Sequence, residues 1–266
     1  MFLTIRQYSE IAHAILHSES QYLSNKNIIS TLFEYTPTND FENIVKNRIT
    51  IIDSYYSTQM SKRLYGIDDL AETLSKYSDA ELKKESGIFL DNPKQDCVIS
   101  SLLAKKYGID KSGKPFGKSI SLLSKYLYFL NNGNFPIYDR LAIYSYKLIS
   151  RNSMVIMNDI ISEHNYFVCI KQLNSVTNIN DFEKLDNLLW LIGKLSKGSF
   201  GILMDKEKYL ALISNKEIKV ELKKPENTKS LVRDEFIRNY IRTNYKISSL
   251  FSKNQKIFFE FVFGLN

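Results

Sequence analysis

Apolar residues at helical spacing recur in short segments along most of this chain. In residues 41–62, for example, Ile44, Val45, Ile49 and Ile52 follow one another at the intervals that place side chains on one face of an α-helix. The same pattern predicts helices within residues 4–36 and over residues 70–77, 97–107, 119–130, 154–161, 167–174, 182–196 and 231–245. Because the breaks between these segments are short, we predict a mainly α fold, a compact bundle of about ten helices.

The cysteines and the apolar runs exclude several classes of protein. Cys97 and Cys169 are too few for a disulfide scaffold or for a four-cysteine zinc or iron–sulfur site. The N-terminus lacks the pattern of a signal peptide, and the best apolar candidate, residues 257–265, is too short to span a membrane. We therefore expect a cytoplasmic protein of one large domain or two closely packed lobes.

The net charge of the chain is positive, which is compatible with a polyanionic partner but does not require one. The formal charge is +7, from 36 Lys and Arg against 29 Asp and Glu. Such an excess favours a polyanion such as nucleic acid. The lysines are nevertheless spread along the chain, often beside Asp or Glu, as they are on a solvated surface. The charge alone leaves both interpretations open.

Two of the three histidines lie one helical turn apart, at a spacing that is able to bind a metal ion. His13 and His17 have no third ligand nearby in the sequence, because His164 is distant and no His-Glu-x-x-His pattern is present. We therefore predict two exposed histidines on a polar helix face, and no metal site.

Residues 119–144 predict a helix, a turn, a short extended piece and a second helix. The turn is Asn131-Asn132-Gly133-Asn134, and the preceding residues 108–117 are rich in Gly and Pro and predict a loop. Pro136 biases the residue before it away from helical backbone. Asp139 then stands where the N-cap of the second helix belongs. A capping role alone would explain this carboxylate, so a second signal is needed to assign it chemistry.

The second signal lies in an earlier segment. Ser57-Thr58-Gln59 ends the helix predicted in residues 41–62, and Pro136-Ile137-Tyr138-Asp139 begins a later helix. Together they resemble the helix-hairpin-helix superfamily of DNA glycosylases, which includes the 8-oxoguanine, adenine-mismatch and endonuclease III types. Pro115-Phe116-Gly117-Lys118-Ser119 is similar to a degenerate form of that family's hairpin. The resemblance covers residues 41–150, and the lack of a cysteine cluster excludes the iron–sulfur branch.

The resemblance implies a two-lobed helical glycosylase fold with a degenerate hairpin. Residues 1–150 would form the helical core, with Gln59 and Asp139 facing a shared cleft. Residues 151–266 would pack on that core and complete the cleft. The implied protein is a monomer that needs no cofactor and no metal, and its partner is double-stranded DNA that contains a modified base.

The resemblance also implies the chemistry. Asp139 would stabilise the oxocarbenium character that develops at the sugar when an N-glycosidic bond breaks. Bifunctional members of the family add a lysine that attacks the sugar carbon. Lys125 is the lysine predicted for that role, but spacing without a gap places Ser121 in the same position, and Lys118 is a third choice. Ser121 would make the enzyme monofunctional, with water as the nucleophile, and we favour this form.

Further residues would hold the DNA. Gln59 matches the position that fills the gap left by an extruded base, and Tyr138 would stack on that base. Gly117, Lys118, Ser119 and Ser121 would contact phosphate at a helix start. The excised base stays open between glucosylated hydroxymethylcytosine of phage DNA, which implies antiviral defence, and an oxidised purine in repair. Two other readings also stay open: a catalytically silent DNA-binding module of this fold, and a helical interaction domain unrelated to DNA.

Overall fold

The computed structural model describes residues 3–18, 22–34, 40–151, 160–223, 230–246 and 248–265. Within these residues the chain forms fourteen α-helices, two short 3-10 turns and one two-stranded sheet, which confirms the mainly α prediction. The helices are α1 (Ile5–Ser18), α2 (Tyr22–Glu34), α3 (Phe41–Tyr56), α4 (Gly66–Leu74), α5 (Asp79–Asp91), α6 (Val98–Ala104), α7 (Ile120–Leu130), α8 (Arg140–Arg151), α9 (Tyr166–Val176), α10 (Phe182–Ser196), α11 (Lys206–Ser214), α12 (Lys216–Leu222), α13 (Ser230–Asn244) and α14 (Lys253–Leu265). The strands are β1 (Lys106–Ile109) and β2 (Pro115–Lys118).

The segment predicted as a loop, residues 108–117, forms most of an antiparallel β-hairpin, so that prediction is wrong. Tyr107 pairs with Gly117 and Ile109 with Pro115. The carboxylate of Asp110 accepts hydrogen bonds from the backbone amides of the tight turn between the strands. The Gly and Pro residues therefore mark a short hairpin, and the helix predicted over residues 97–107 ends earlier, at Ala104.

Helix α7 lies at the centre of the fold. Its residues from Leu122 to Leu130 are all buried, as expected for a helix that is apolar around most of its circumference. It packs against α2, α3, α5 and α6. Two polar residues, Ser124 and Lys125, are buried with the apolar ones. Burying the charged amine of a lysine in the core costs free energy, so the surroundings of Lys125 bear on function.

A second buried cation, Arg48 on α3, joins α3 to α2 and α5. Its guanidinium donates two hydrogen bonds to the carboxylate of Asp79, at 3.0 and 2.9 Å, and one to the backbone oxygen of Leu32 at 2.9 Å. It also lies 4.4 Å from the centre of the Phe33 ring. Both oxygens of the Asp79 carboxylate thus accept from one guanidinium nitrogen, Nη1, and the Leu32 oxygen accepts from Nε. These charge-assisted hydrogen bonds pair the buried charge.

The C-terminal helices pack on the N-terminal ones. Helix α10 packs against α1 and α8, and α14 packs against α1. Gly193 permits the close approach of α10 to α8, because a Cβ atom there would lie 2.7 Å from the Cβ of Leu141. The helix predicted over residues 154–161 lies mostly outside the described residues. The division of the chain at residue 150 stays a prediction.

The two histidines predicted to be exposed are instead half-buried against α10. Their rings stack with centres 4.0 Å apart, and His13 shares a 3.0 Å hydrogen bond with Asn187. His17 lies 3.3 Å from the carboxylate of Glu183, to which Lys26 is also bonded. His13, His17 and Glu183 are groups that often bind metals. Because the Lys26 ammonium already bonds to the Glu183 oxygen nearest His17, we describe the cluster as an ion-pair network that ties α1 and α2 to α10.

Candidate active-site cleft

A cleft of about 800 Å³ lies where the end of α3, strand β2, the start of α7 and the segment before α8 meet. This volume falls within the range of pockets that bind small molecules. Seven residues singled out from the sequence line it: Gln59, Lys118, Ser119, Ser121, Lys125, Tyr138 and Asp139. Gly117 is not among the lining residues of the described structure, because it lies on the opposite face of β2 from its neighbours.

Asp139 caps helix α8 and also faces the cleft. Its Oδ1 atom accepts a 2.6 Å hydrogen bond from the backbone amide of Leu141, the bond expected of an N-cap. Within the described residues, no hydrogen bond reaches its Oδ2 atom. The positive end of the helix dipole stabilises the anion. One oxygen therefore fixes the carboxylate while the other is available to a molecule in the cleft.

The backbone before Asp139 is held from two sides. Ser124, buried in α7, accepts a 2.9 Å hydrogen bond from the amide of Tyr138. The hydroxyl of Tyr166 donates to the backbone oxygen of Ile137, and its ring contacts that of Tyr138 edge-on. Neither Ser124 nor Tyr166 was singled out from the sequence. They fix the position of Asp139, because both neighbouring backbone units are anchored to the core.

Lys125 forms part of the cleft floor and is only 3% exposed. Its Nζ atom donates to the hydroxyl of Ser121 at 2.8 Å and lies 5.3 Å from the centre of the Tyr56 ring. The sequence offered Lys125 and Ser121 as alternatives for one role, and the structure places them in contact. Burial lowers the pKa of Lys125, although the negative charges of Asp139 and Asp186 act in the opposite direction. In the described part of the chain, Lys125 forms no salt bridge.

Asp186 on α10 adds a carboxyl group that sequence reasoning missed. It is 8% exposed, and burial raises its pKa to about 7. The charge of Asp139 acts in the same direction as burial, whereas the charges of Lys26 and Lys125 act in the opposite direction. A signal was present in the sequence, since Phe182, Leu189 and Trp190, which lie one turn away on the same helix face as Asp186, are all apolar. The charges of both predicted catalytic residues therefore act on Asp186, although Asp186 is not among the residues that line the cleft.

Gln59 lies exposed on a rigid turn at the edge of the cleft. Ser57 and Gln59 both have left-handed backbone, with φ of 49° and 62°, which is unfavourable for residues with a side chain. The buried carboxylate of Asp53 holds the turn, because it accepts hydrogen bonds from the amides of Met60 and Ser61 at 2.8 and 2.9 Å. The geometry thus fixes Gln59 at the cleft in a conformation that costs free energy.

The start of α7 opens into the cleft. The backbone amides of a first helical turn have no partners within the helix, and Ser119 to Leu122 all line the cleft. Ser119 is buried, and its hydroxyl lies 3.4 Å from the sulfur of Met60. The carbonyl oxygens of Gly117 and Lys118 accept hydrogen bonds from Arg63. This end of α7 has the properties of an anion site.

The walls of the cleft are mainly cationic. Lys62, Arg63, Lys118 and Arg140 line it, against the carboxylates of Asp139 and Glu163. Lys62, Lys118 and Arg140 are exposed, so they are able to meet a phosphate without loss of a buried partner. Positive walls around a fixed carboxylate are suited to an anionic substrate whose reaction develops positive charge.

No family model, curated protein or solved structure matches this chain. No helix in the described residues is long and apolar enough to span a membrane. The fold and the cleft define a mainly helical protein with a cationic cleft and a fixed carboxylate on its floor.

Proposed function

We propose that this protein is a DNA N-glycosylase of the helix-hairpin-helix type. One observation carries the proposal: Asp139 is fixed by capping α8, keeps one oxygen available, and lies in a cationic cleft together with Gln59. A glycosylase needs a fixed carboxylate at the sugar, positive walls for the flanking phosphates, and a side chain that enters the duplex. The cleft has candidates for all three.

In this proposal the reaction is hydrolysis at the sugar carbon C1′. The bond from C1′ to the base nitrogen breaks, and its electron pair leaves with the base. The Oδ2 atom of Asp139 stabilises the positive charge that develops on the sugar and orients a water molecule, whose oxygen bonds to C1′. The water gives up one proton, which balances the charge on the departing base. The products are the free base and an abasic site.

The contacts of Lys125 support the monofunctional form. Its Nζ atom is buried beneath Ser121 and bonded to the Ser121 hydroxyl, so water reaches the sugar more easily than the amine does. Ser121 then lines the position that the lysine of a bifunctional enzyme would occupy. Lys118 lies on β2 at the wall of the cleft and serves as a phosphate contact.

The base must leave the duplex to reach Asp139, at a cost of about a few kcal/mol in lost stacking. Gln59 is the residue proposed to enter the gap, because its turn is rigid and exposed at the edge of the cleft. Tyr138 lines the same cleft and offers a ring for the extruded base. In this proposal the hairpin β1–β2, between helices α6 and α7, would serve as a degenerate form of the family's helix-hairpin-helix motif.

The test is release of a base from DNA of known composition. The protein is incubated with plain duplex, with duplex containing oxidised purines, and with phage DNA containing glucosylated hydroxymethylcytosine, and released bases are identified by mass spectrometry. We expect one modified base to be released and plain DNA to stay intact. Binding of all three DNAs without release from any would favour the non-catalytic DNA-binding module. Absence of binding would favour an interaction domain unrelated to DNA.

A further inference from the structure

Strand β2 presents an apolar ring to the cleft. Phe116 is 55% exposed and lines the cleft, and so does Lys118, two residues further on the same strand face. On the other face of the hairpin, Tyr107 is fully buried and pairs with Gly117. The hairpin thus has one face packed on the protein and one face turned to the cleft, where an exposed aromatic ring stands beside a lysine.

The hairpin is firmly attached to the body of the protein. The amide of Ile109 donates to the backbone oxygen of Leu64 at 3.0 Å, and the amide of Gly108 donates to the carboxylate of Asp69 at 2.9 Å. Gly108 has a φ of 69°, and a Cβ atom there would lie 2.9 Å from the Leu64 oxygen. The hydroxyl of Tyr107 bonds to the backbone of α6. Phe116 is therefore carried by a rigid element.

Arg63 holds the ring of Phe116 from the body of the protein. Its guanidinium lies 5.0 Å from the ring centre and donates to the backbone oxygens of Gly117 and Lys118, at 2.8 and 3.1 Å. These bonds fix the guanidinium, so it orients the ring. The attraction between the guanidinium and the ring stabilises Phe116 in this position. More than half of Phe116 nevertheless stays exposed.

The charges around Phe116 match nucleic acid. Lys62 and Lys118 line the cleft beside the ring, and Lys106, Lys111 and Lys114 are exposed on the hairpin. A rigid, half-exposed ring within a group of exposed lysines is the combination that binds an unstacked base together with its phosphates. A protein partner would have to neutralise these lysines with carboxylates of its own, whereas DNA brings a phosphate with every nucleotide.

We propose that the β1–β2 hairpin is a second DNA-contacting element, in which Phe116 stacks on a base next to the extruded nucleotide. The inference rests on the proposed function, because it takes duplex DNA as the occupant of the cleft. It adds a stacking residue on the hairpin to Gln59 on the α3 turn. Gln59 precedes Arg63 in the sequence and the hairpin follows it, and both Gln59 and Phe116 line the same cleft. Phe116 would thus hold the duplex open while Gln59 enters the gap.

The experiment measures affinity for a duplex that contains a tetrahydrofuran abasic-site analogue, by fluorescence anisotropy at one fixed salt concentration. We expect Phe116→Ala and Phe116→Leu to weaken binding by about 5- to 100-fold, the usual effect of losing one base–aromatic stack. Phe116→Trp keeps a stacking ring and should restore binding. Leu210→Ala, which removes a similarly exposed apolar side chain from α11, is the control and should leave affinity unchanged.

The outcomes separate this inference from the proposed function. If the wild type releases a base and Phe116→Ala binds as tightly as wild type, the inference is overturned and the glycosylase proposal stands. If binding depends on Phe116 but no DNA loses a base, the inference stands without the enzyme. If the wild type binds no duplex, both are overturned.

Discussion

Among the cations buried in the described residues, Arg48 and Lys125 lie in contrasting surroundings. Arg48 is 1% exposed, and its charge is met by a bidentate carboxylate, a backbone oxygen and an aromatic ring. Lys125 is 3% exposed, yet its described hydrogen bonds reach only neutral oxygens of Ser121. The carboxylates that influence Lys125 act without a direct bond.

This difference indicates separate roles for the two cations. A buried charge that is fully paired has no group left to contact a ligand, and removing it leaves its buried partners unpaired. A buried charge without an ionic partner is a cost to stability that is typical of functional sites. We therefore expect Arg48 to matter for folding, and Lys125 to matter for activity.

The largest loss of stability should follow Arg48→Met. The substitution leaves the Asp79 carboxylate and the Leu32 oxygen without their partner, and breaking a buried pair in this way costs about 3–5 kcal/mol. Chemical denaturation monitored by circular dichroism measures the free energy of unfolding. The control is Arg238→Met, which removes a less buried arginine with one backbone bond and a long ion pair. Equal losses in the two variants would contradict the role assigned to Arg48.

A pH-dependent effect should follow Asp186→Asn. Burial raises the pKa of Asp186 to about 7, above the ordinary value of an unfolded chain. Between pH of about 4 and about 7 the carboxyl group ionises in the unfolded chain but stays neutral in the folded protein. Its contribution to the free energy of unfolding is therefore fully present below pH of about 4 and is lost as the pH rises through about 7. Asp186→Asn does not titrate, so its free energy of unfolding relative to wild type should rise by about 3–4 kcal/mol between pH of about 4 and about 8.

Thermal denaturation across that pH range checks the Asp186 prediction. Asp91→Asn, at an exposed position on α5, should follow the wild-type profile and serves as the control. Parallel profiles for wild type and Asp186→Asn would show that Asp186 does not titrate in this range, and would contradict a raised pKa for this carboxyl group.

The smallest change in stability should follow Lys125→Met. The substitution removes a poorly paired charge and keeps the volume, so we expect a change within about 1 kcal/mol of wild type. Base release should slow by about 10- to 100-fold, because Ser121 and the nearby carboxylates lose the positive charge of Lys125. It should not be abolished, because water remains the nucleophile.

Lys105→Met is the matched control for Lys125. Lys105 also bonds a hydroxyl at 2.8 Å and lies 5.5 Å from a tyrosine ring, but it is exposed and outside the cleft. It should affect neither stability nor activity. A complete loss of base release in Lys125→Met would instead identify Lys125 as the nucleophile of a bifunctional enzyme.

Local patterns predicted much of the fold. The helix predicted over residues 182–196 has those bounds in α10, and the turn between α7 and the Pro136 segment lies where the Asn and Gly residues place it. Both signals are local, since apolar spacing and tolerance of positive φ belong to the segment itself. The two strands of the hairpin were missed because four-residue strands carry too few residues to show alternation.

The candidate site was predictable only where a motif marks it. Gln59 and Asp139 stand in motifs, and Phe116 stands in the hairpin motif without an assigned role. The influence of Asp186 on the site depends on contacts between distant segments. Such contacts follow from packing, which a single sequence does not reveal. The closeness of α10 to α8, for example, depends on Gly193 lying against Leu141.

The most direct test of the account is the single-turnover rate of base release by Asp139→Asn. Asparagine is also a good N-cap, so the variant should fold and bind DNA as the wild type does. We expect its rate to fall by about 10²- to 10⁴-fold. Asp205→Asn, which changes the N-cap aspartate of α11 and not a residue that lines the cleft, should keep the full rate. Full activity in Asp139→Asn would contradict the assignment of Asp139 as the catalytic carboxylate.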